Sequence, residues 1–369
     1  MYTKLEKLIL KGYKTVRELS NFELRDLSVL IGPNGAGKSN FISFFRMLAR
    51  MCRTPGELQF HVGESGGASM LLHDGPSKTR EMEARLLFSG ESAGAEYAFR
   101  LAFAADDTFV FAEEGAVLFD ADGAEVLEWR DSLSGRREPQ LLARSDGDAS
   151  ARGIADFLRG IRVYQFHDTS STSRMRAKWD VEDGGELKED GANLAPFLYR
   201  LRRDEPRYYR RITETIRLVL PFFADFVLEP EGERLLLKWS ESGCDKVFSA
   251  SQAADGMLRA VALVTLLLRP ERELPRIVIL DEPELGLHPY AITIVGGLIR
   301  AISKKSQVIV ATQSASLVDC FEPDDIVVVE RKGRESLFGR LDEDSLGEWL
   351  ENYSISELWE KNVIGGRPS

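Results

Sequence analysis

The stretch GPNGAGKS at residues 32–39 constrains this chain more than any other feature. It fits G-x-x-x-x-G-K-[ST], follows the apolar run Leu27 to Ile31 and precedes a helix predicted from Lys38 to about Met51. A buried strand that ends on glycine and runs into a helix turns successive backbone N–H groups into one hollow. That hollow sits at the positive end of the helix dipole. Gly32, Pro33, Asn34, Gly35, Ala36 and Gly37, with Asn40 just beyond, are therefore expected to cradle the phosphates of a nucleotide. Lys38 is expected to neutralise the β- and γ-phosphates, and Ser39 to ligate Mg²⁺.

A second segment, RIVILDEPELGLHP, supplies what such a loop lacks. Its apolar run, Ile277 to Leu280, reads as a buried strand delivering Asp281 and Glu282 at its carboxyl end, where open α/β sheets place ligand sites. Asp281 is expected to hold Mg²⁺ through water and Glu282 to act as general base on the attacking water. An apolar run ending in Asp-Glu is a weak signal alone. Beside the phosphate loop it is a strong one.

Composition narrows the setting. The 369 residues, 43% of them hydrophobic, have room for two or three packed units. The longest apolar run, Ala260 to Leu268, is about half of a membrane span, and the first residues lack a signal-peptide core. A soluble, cytoplasmic protein with no membrane partner is expected. Cys52, Cys244 and Cys320 are scattered without metal-ligand spacing. The net charge of −11 argues against a uniformly basic nucleic-acid binder. The local run Arg200, Arg202, Arg203, Arg207, Arg210, Arg211 reads either as a phosphate-facing patch or, more commonly, as a solvated helix face.

Along the chain, the first strands are expected at Lys4 to Gly12 and Phe22 to Leu24. Alternating segments at Glu81 to Phe88, Glu96 to Phe103 and Thr108 to Phe111 predict an antiparallel β lobe. The polar stretch 130–156 reads as a mobile loop, and 160–166 returns to a strand. Helical spacing between Asn193 and Phe223, then strand-like runs at Phe226 to Glu229 and Arg234 to Trp239, predict a mainly helical lobe. A nearly all-apolar helix, 256–268, precedes strands at 276–280, 307–311 and 325–329, with a helix from Tyr290 to about Ser303 between the first two. Strands alternating with helices imply a mainly parallel sheet covered on both faces.

With both motifs in view, the chain resembles the RecF- and SMC-type branch of the ABC ATPases, specifically the short bacterial AAA-family ATPases related to the OLD family. The blocks carrying the resemblance are GPNGAGKSN, VYQFHDTS, NLAPFLYRLR, QAADGMLR, DEPELGLHP, ATQS and the C-terminal LWEKNVIGGRP. It implies an α/β P-loop NTPase of ABC/SMC-head type, with a mainly parallel core sheet, an antiparallel β lobe and an inserted helical lobe. The division it suggests is an ATPase core at 1–75 and 251–340, a β lobe at 76–165, a helical lobe at 166–250 and a tail at 341–369. VYQFHDTS is placed like the family's Q-loop, which makes Gln165, His167 and Asp168 the candidates for sensing Mg²⁺ or water; His167 reads equally as a structural histidine. QAADGMLRA is placed like the signature that meets the γ-phosphate of ATP on the opposite subunit, through Asp255, Gly256 and a helix N-terminus. Here the family's serine is replaced by Ala254, a departure that bears on ATP-driven dimerisation. Gln313 stands where transporters of this class carry a switch histidine, and its amide can still hydrogen-bond phosphate or water. His288 reads as a residue reaching the neighbouring subunit or as a structural one.

The resemblance implies ATP and Mg²⁺, hydrolysis of ATP, a homodimer, and DNA or a protein effector as partner, in processes such as DNA repair, plasmid maintenance or phage defense. The absence of N-K-x-D disfavours a GTPase. The 56 residues after Gln313 are about half of an ordinary domain, so no Toprim nuclease is expected. A non-catalytic, nucleotide-dependent scaffold is the competing expectation, and Ala254 is its motive. The tail from Ser345 to Trp359 carries an apolar face expected to pack on the core.

Overall fold

A computed structural model describes residues 2–90 and 93–366; Arg367 and Pro368 of the C-terminal block, with Met1, Glu91, Ser92 and Ser369, lie outside the described residues. The chain opens with β1 (Tyr2–Tyr13), β2 (Val16–Glu23), β3 (Leu27–Ile31), α1 (Lys38–Met51), α2 (Glu57–Glu64) and α3 (Ala68–Leu71). There follow β4 (Glu81–Gly90), β5 (Gly94–Phe103), β6 (Phe109–Phe119), β7 (Glu125–Arg136), α4 (Gln140–Arg144), α5 (Ala149–Arg159) and β8 (Ile161–Tyr164). Next come β9 (Trp179–Asp180), α6 (Leu194–Asp204), α7 (Pro206–Val219), β10 (Phe223–Phe226), β11 (Arg234–Leu235), β12 (Lys238–Glu241) and β13 (Val247–Ser249). The chain continues through α8 (Asp255–Leu267), β14 (Ile277–Asp281), α9 (Pro289–Ser303), β15 (Gln307–Thr312) and α10 (Ala315–Val318). Then come β16 (Ile326–Lys332), β17 (Glu335–Arg340), α11 (Glu343–Leu350) and α12 (Ile355–Glu360).

These elements form two compact units: residues 1–162 with 323–353 and 357–369, and residues 163–322 with 354–356. In the first, an antiparallel sheet runs β2-β1-β4-β5-β6-β7. Period-two alternation on β4 and β5 places Met82, Ala84, Leu86 and Phe88, and Tyr97, Phe99 and Leu101, in the core. The same unit holds β3, buried at all five positions and paired in parallel with β16, which pairs antiparallel with β17. Nothing in the sequence reading marked β17; its cue is the two-residue turn Gly333-Arg334, with Gly333 at φ +64°.

The mobile loop expected at 130–156 is corrected. Strand β7 extends to Arg136, and α4 and α5 follow. The Asp148 carboxylate caps α5 by accepting from Ser150 N (2.8 Å) and Ala151 N (3.3 Å). Helix α5 buries Ala151, Ile154, Ala155, Phe157 and Leu158, and Phe157 meets Phe88 edge-on at 5.2 Å between ring centroids. Buried Glu114 holds the start of α4, accepting from Gln140 N (2.6 Å), Leu141 N (2.9 Å) and Tyr97 Oη (2.8 Å).

In the second unit β14 and β15 pair in parallel, with Asp281 opposite Ala311, and every residue of both is buried. Helix α8 is apolar nearly all round, as a helix enclosed by other elements must be. The inserted segment packs α6 and α7 with a three-stranded sheet, β10-β12-β13, and the short pair β11-β9. The expected strands are shifted: β10 ends at Phe226, where the first was expected to begin, and the second is divided between β11 and β12, with a turn before it at Gly232 (φ +65°), where Glu231 N donates to Arg234 O at 2.8 Å. Two arginines of the run on α6 are spent inside this unit: Arg200 forms a bidentate pair with Glu273 (2.9 and 2.7 Å), and Arg202 donates to Leu228 O (2.6 Å). In the tail Leu346, Ile355 and Leu358 are buried. Among the described residues, no helix is long and apolar enough to cross a membrane.

Candidate functional site

The loop after β3 is shaped by close approaches that only glycine permits. Gly32 sits at φ +148°, and a Cβ there would lie 2.1 Å from Val329 O on β16. Gly37, the N-cap of α1 at φ +111°, would place a Cβ 2.0 Å from Ser336 Oγ and 2.7 Å from Thr15 Oγ1. Those two hydroxyls brace the loop from behind. Ser336 Oγ lies 2.5 Å from Ala36 O and 2.7 Å from Thr15 Oγ1, and Asn40 Nδ2 donates to Thr15 Oγ1 at 2.9 Å. Arg331 Nη1 donates to Gly35 O at 3.2 Å, while Asn34 and Gly35 are exposed.

Lys38 is buried, and its ammonium donates to Gly32 O (2.5 Å) and Pro33 O (3.2 Å), stretched across its own loop. Ser39 is exposed in the first turn of α1. That helix has no side-chain cap and no acid in its first turn, which suits an N-terminus facing an anion.

At the end of β14, Asp281 is buried, and its Oδ2 accepts from Gln165 Nε2 at 2.6 Å. Its carbonyl lies 2.9 Å from His167 Nε2, so that ring nitrogen carries the proton. The third candidate points elsewhere. Asp168 Oδ1 accepts from Ser170 Oγ (2.7 Å) and Ser170 N (3.1 Å), bonds that hold its carboxyl below the usual range.

Glu282 continues the β ladder by one bond, N to Ala311 O at 2.8 Å, then leaves the sheet at φ +45°. A non-glycine residue in the left-handed region costs on the order of 1 kcal/mol or more, and such positions concentrate at active sites. Glu282 Oε1 accepts from Gln313 Nε2 at 2.6 Å. Sequence reasoning overlooked Glu284, whose Oε1 accepts from Thr312 Oγ1 (2.6 Å) and Gln313 N (3.3 Å). Burial, and then the neighbouring Glu282, push its carboxyl above the usual range. Its signal was a carboxylate directly after proline in DEPE.

The signature-like segment forms the start of α8. Ala254 is its N-cap with extended backbone, φ −66° and ψ 150°, and no side-chain cap. Asp255 is exposed and pairs with Arg176 at 3.1 Å. A Cβ on Gly256 would lie 2.4 Å from Gly286 O, so this glycine lets the helix start touch the turn after Glu284. Arg259 joins three segments: it donates to Phe166 O (3.1 Å), His167 O (2.9 Å) and Leu285 O (3.2 Å). It too was overlooked, although a lone cation in the apolar run of α8 was a legible sign. His288 caps α9, its Nδ1 accepting from Tyr290 N at 3.3 Å.

A family described as "AAA domain, putative AbiEii toxin, Type IV TA system" matches residues 27–319, most of the chain and both motifs. The chain belongs to this AAA family. Among solved structures, the AAA-family chain is similar to an SMC head bound to the C-terminal winged-helix domain of ScpA, at 17% identity and a TM-score of 0.59, covering 94% of this chain and 99% of that one. An SMC head from Thermotoga maritima matches at 17% identity and a TM-score of 0.50, over 92% and 99%. An SMC head with an extended coiled coil bound to the C-terminal domain of ScpA, from Pyrococcus furiosus, matches at 17% and 0.54, over 94% and 98%. No curated protein matches. At such identities these likenesses show the fold, that of an SMC-head-type P-loop ATPase. The expected fold class stands.

Proposed function

We propose that this protein binds ATP with Mg²⁺ and hydrolyses it, working as an ATP-gated homodimeric head that passes its nucleotide state to DNA or to a protein effector. The observation that carries the reading is the carboxylate of Glu282, lifted out of the sheet at φ +45° and held by the Gln313 amide at 2.6 Å. A base must be fixed in place but open to water, and Glu282 is half-buried.

The residues fit the nucleotide and its ion. Glycine at positions 32 and 37 lets the loop press against Val329 O, Ser336 Oγ and Thr15 Oγ1, where a Cβ would clash, and Lys38 reaches Gly32 O across the loop so formed. Among the described residues no cluster of three His, Cys, Asp or Glu side chains is placed to hold a metal. Mg²⁺ takes few protein ligands and draws the rest from phosphate and water. Ser39 and Asp281 are the hard oxygen donors that would hold it. When bound, Mg²⁺ neutralises charge on the phosphates.

In this reading Lys38 exchanges its bonds to Gly32 O and Pro33 O for phosphate oxygens. Glu282 takes the proton of the attacking water, Gln313 orients that carboxylate, and Gln165 orients Asp281. Asp255, Gly256 and the N-terminus of α8 face the ATP of a second copy. A protein effector is one partner class in keeping with the ScpA-bound SMC heads that share the fold.

Glu282→Gln is expected to bind ATP with unchanged affinity, lose turnover by at least about a hundredfold, and accumulate as a dimer in ATP. Steady-state phosphate release and light scattering measure both, with Lys38→Ala as the background. Unimpaired turnover would remove Glu282 from the base role. A second reading, a nucleotide-dependent scaffold without catalysis, is favoured by the missing hydroxyl at Ala254. Wild-type turnover no higher than that of Lys38→Ala would establish it over the first.

A further inference from the structure

Glu284 belongs to neither motif as usually written, yet its carboxylate is tied to the end of β15. Its Oε1 accepts from Thr312 Oγ1 at 2.6 Å and from the backbone N–H of Gln313 at 3.3 Å. The Thr312 hydroxyl in turn accepts from Ser314 N at 3.0 Å, which fixes the turn between β15 and α10. Gln313, the residue held by its backbone in this way, donates its side-chain amide to Glu282 Oε1 at 2.6 Å.

The contacts close a ring. From Glu282 the chain passes Pro283 to Glu284, crosses through the carboxylate to the backbone of Gln313, and returns through the Gln313 amide to Glu282. Two features show that the ring is under load. Glu282 is held in the left-handed region at φ +45°, and Glu284 Oε2 is enclosed with no hydrogen-bond partner among the described residues. An enclosed, unsatisfied oxygen is destabilising, so a carboxyl placed only for stability would be better replaced by an apolar side chain.

We infer that Glu284 is a positioning residue for hydrolysis: through Thr312 and the Gln313 backbone it sets the place of the Gln313 amide, and thereby the direction of the Glu282 carboxylate. The inference rests on the ATPase reading above and extends it to a residue that acts through Thr312 and Gln313. Burial, the largest cause, pushes the Glu284 carboxyl above its usual range, in keeping with its enclosed place at the end of β15.

The experiment compares Glu284→Ala, Glu284→Gln, Gln313→Ala and the Glu284→Ala/Gln313→Ala double variant in steady-state ATP hydrolysis. Binding of a non-hydrolysable ATP analogue serves as control for folding and for the phosphate loop. Glutamine keeps a carbonyl oxygen for both hydrogen bonds, whereas alanine removes it. Glu284→Ala is expected to lower kcat by on the order of tenfold to a hundredfold, as a small misplacement of a reacting group does, with KM and analogue affinity nearly unchanged. Glu284→Gln is expected to recover most of that loss. The double variant is expected to fall no further than Gln313→Ala alone, because the two act in one chain. The inference is overturned by unchanged kcat in Glu284→Ala, by a Gln variant as impaired as the Ala variant, or by fully additive losses. It is also overturned if analogue binding falls as far as kcat, which marks a structural residue. The failure of the ATPase reading looks different: wild-type turnover then equals that of Lys38→Ala, and both proposals fall together.

Discussion

A single buried histidine shows how far one side chain's surroundings reach in this molecule. His61 on α2 is buried, its Nε2 is enclosed without a hydrogen-bond partner among the described residues, and Arg50, Lys14 and Arg46 lie near it. Burial first, and then those three cations against the weaker pull of Glu64, push its pKa from 6.5 down to about 4. Between those values the unfolded chain binds the proton and the folded one resists it. Stability from this group is therefore complete above the unfolded value of 6.5 and is lost as pH falls toward 4. Urea unfolding of the wild type should show a decline over that interval larger by on the order of 2 kcal/mol than in His61→Gln. Parallel curves for the two proteins would mean that His61 takes its proton as easily folded as unfolded. Glycine residues set the opposite kind of constraint, since the contacts met by a Cβ at Gly37 and Gly256 are at 2.0 and 2.4 Å whatever the pH.

Among the elements, α5 owes its start to Asp148, and the helix is testable there. Asp148→Ala removes the acceptor for Ser150 N and Ala151 N and should cost about 1 kcal/mol of unfolding free energy. Chemical denaturation reads this directly, and an unchanged midpoint would assign the helix start to its packing alone. The same helix marks the limit of sequence reading. Strands β3, β14 and β15 were legible because strands buried on both faces leave uninterrupted apolar runs. Helix α1 was legible because the phosphate loop fixes its first residue, Lys38. Helix α5 was not, since its five buried residues are interleaved with Ser, Arg, Gly and Asp, and composition over the stretch outweighed their period. Strand β17 was hidden for a related reason: only Ser336 of its residues is buried, so few of its side chains had to be apolar. In the site, Asp281, Glu282, Gln165 and Gln313 were visible as motif positions. Glu284, Arg176 and Arg259 were not motif positions; a carboxylate after proline and a lone cation in an apolar run marked two of them, but their partners, distant in sequence, are recorded by no spacing rule.

At the scale of the whole molecule, the proposed dimer turns on the N-terminus of α8, where this chain carries Ala254. The residue is exposed at an N-cap with extended backbone and supplies no cap. Ala254→Ser therefore has two separable consequences. The hydroxyl can cap α8, which stabilises the free chain by about 1 kcal/mol with or without nucleotide. In a homodimer closed over ATP it can also meet the γ-phosphate held by the other copy. Two-fold symmetry makes every such contact occur twice, so a net gain of about 1 kcal/mol per hydroxyl doubles, tightening the dimer about thirtyfold. Introduced beside Glu282→Gln to prevent turnover, Ala254→Ser should lower the dimer dissociation constant by about that factor in ATP and hardly at all in ADP, as measured by analytical ultracentrifugation. Thermal unfolding without nucleotide isolates the capping effect. An unchanged dissociation constant in both nucleotides would leave only the cap, which monomer and dimer share, and equal tightening in ATP and ADP would place the start of α8 away from the partner's γ-phosphate. Tightening confined to ATP would make Ala254 the reason a natural dimer of this chain releases easily, so that opening the head depends less on hydrolysis than a serine would require.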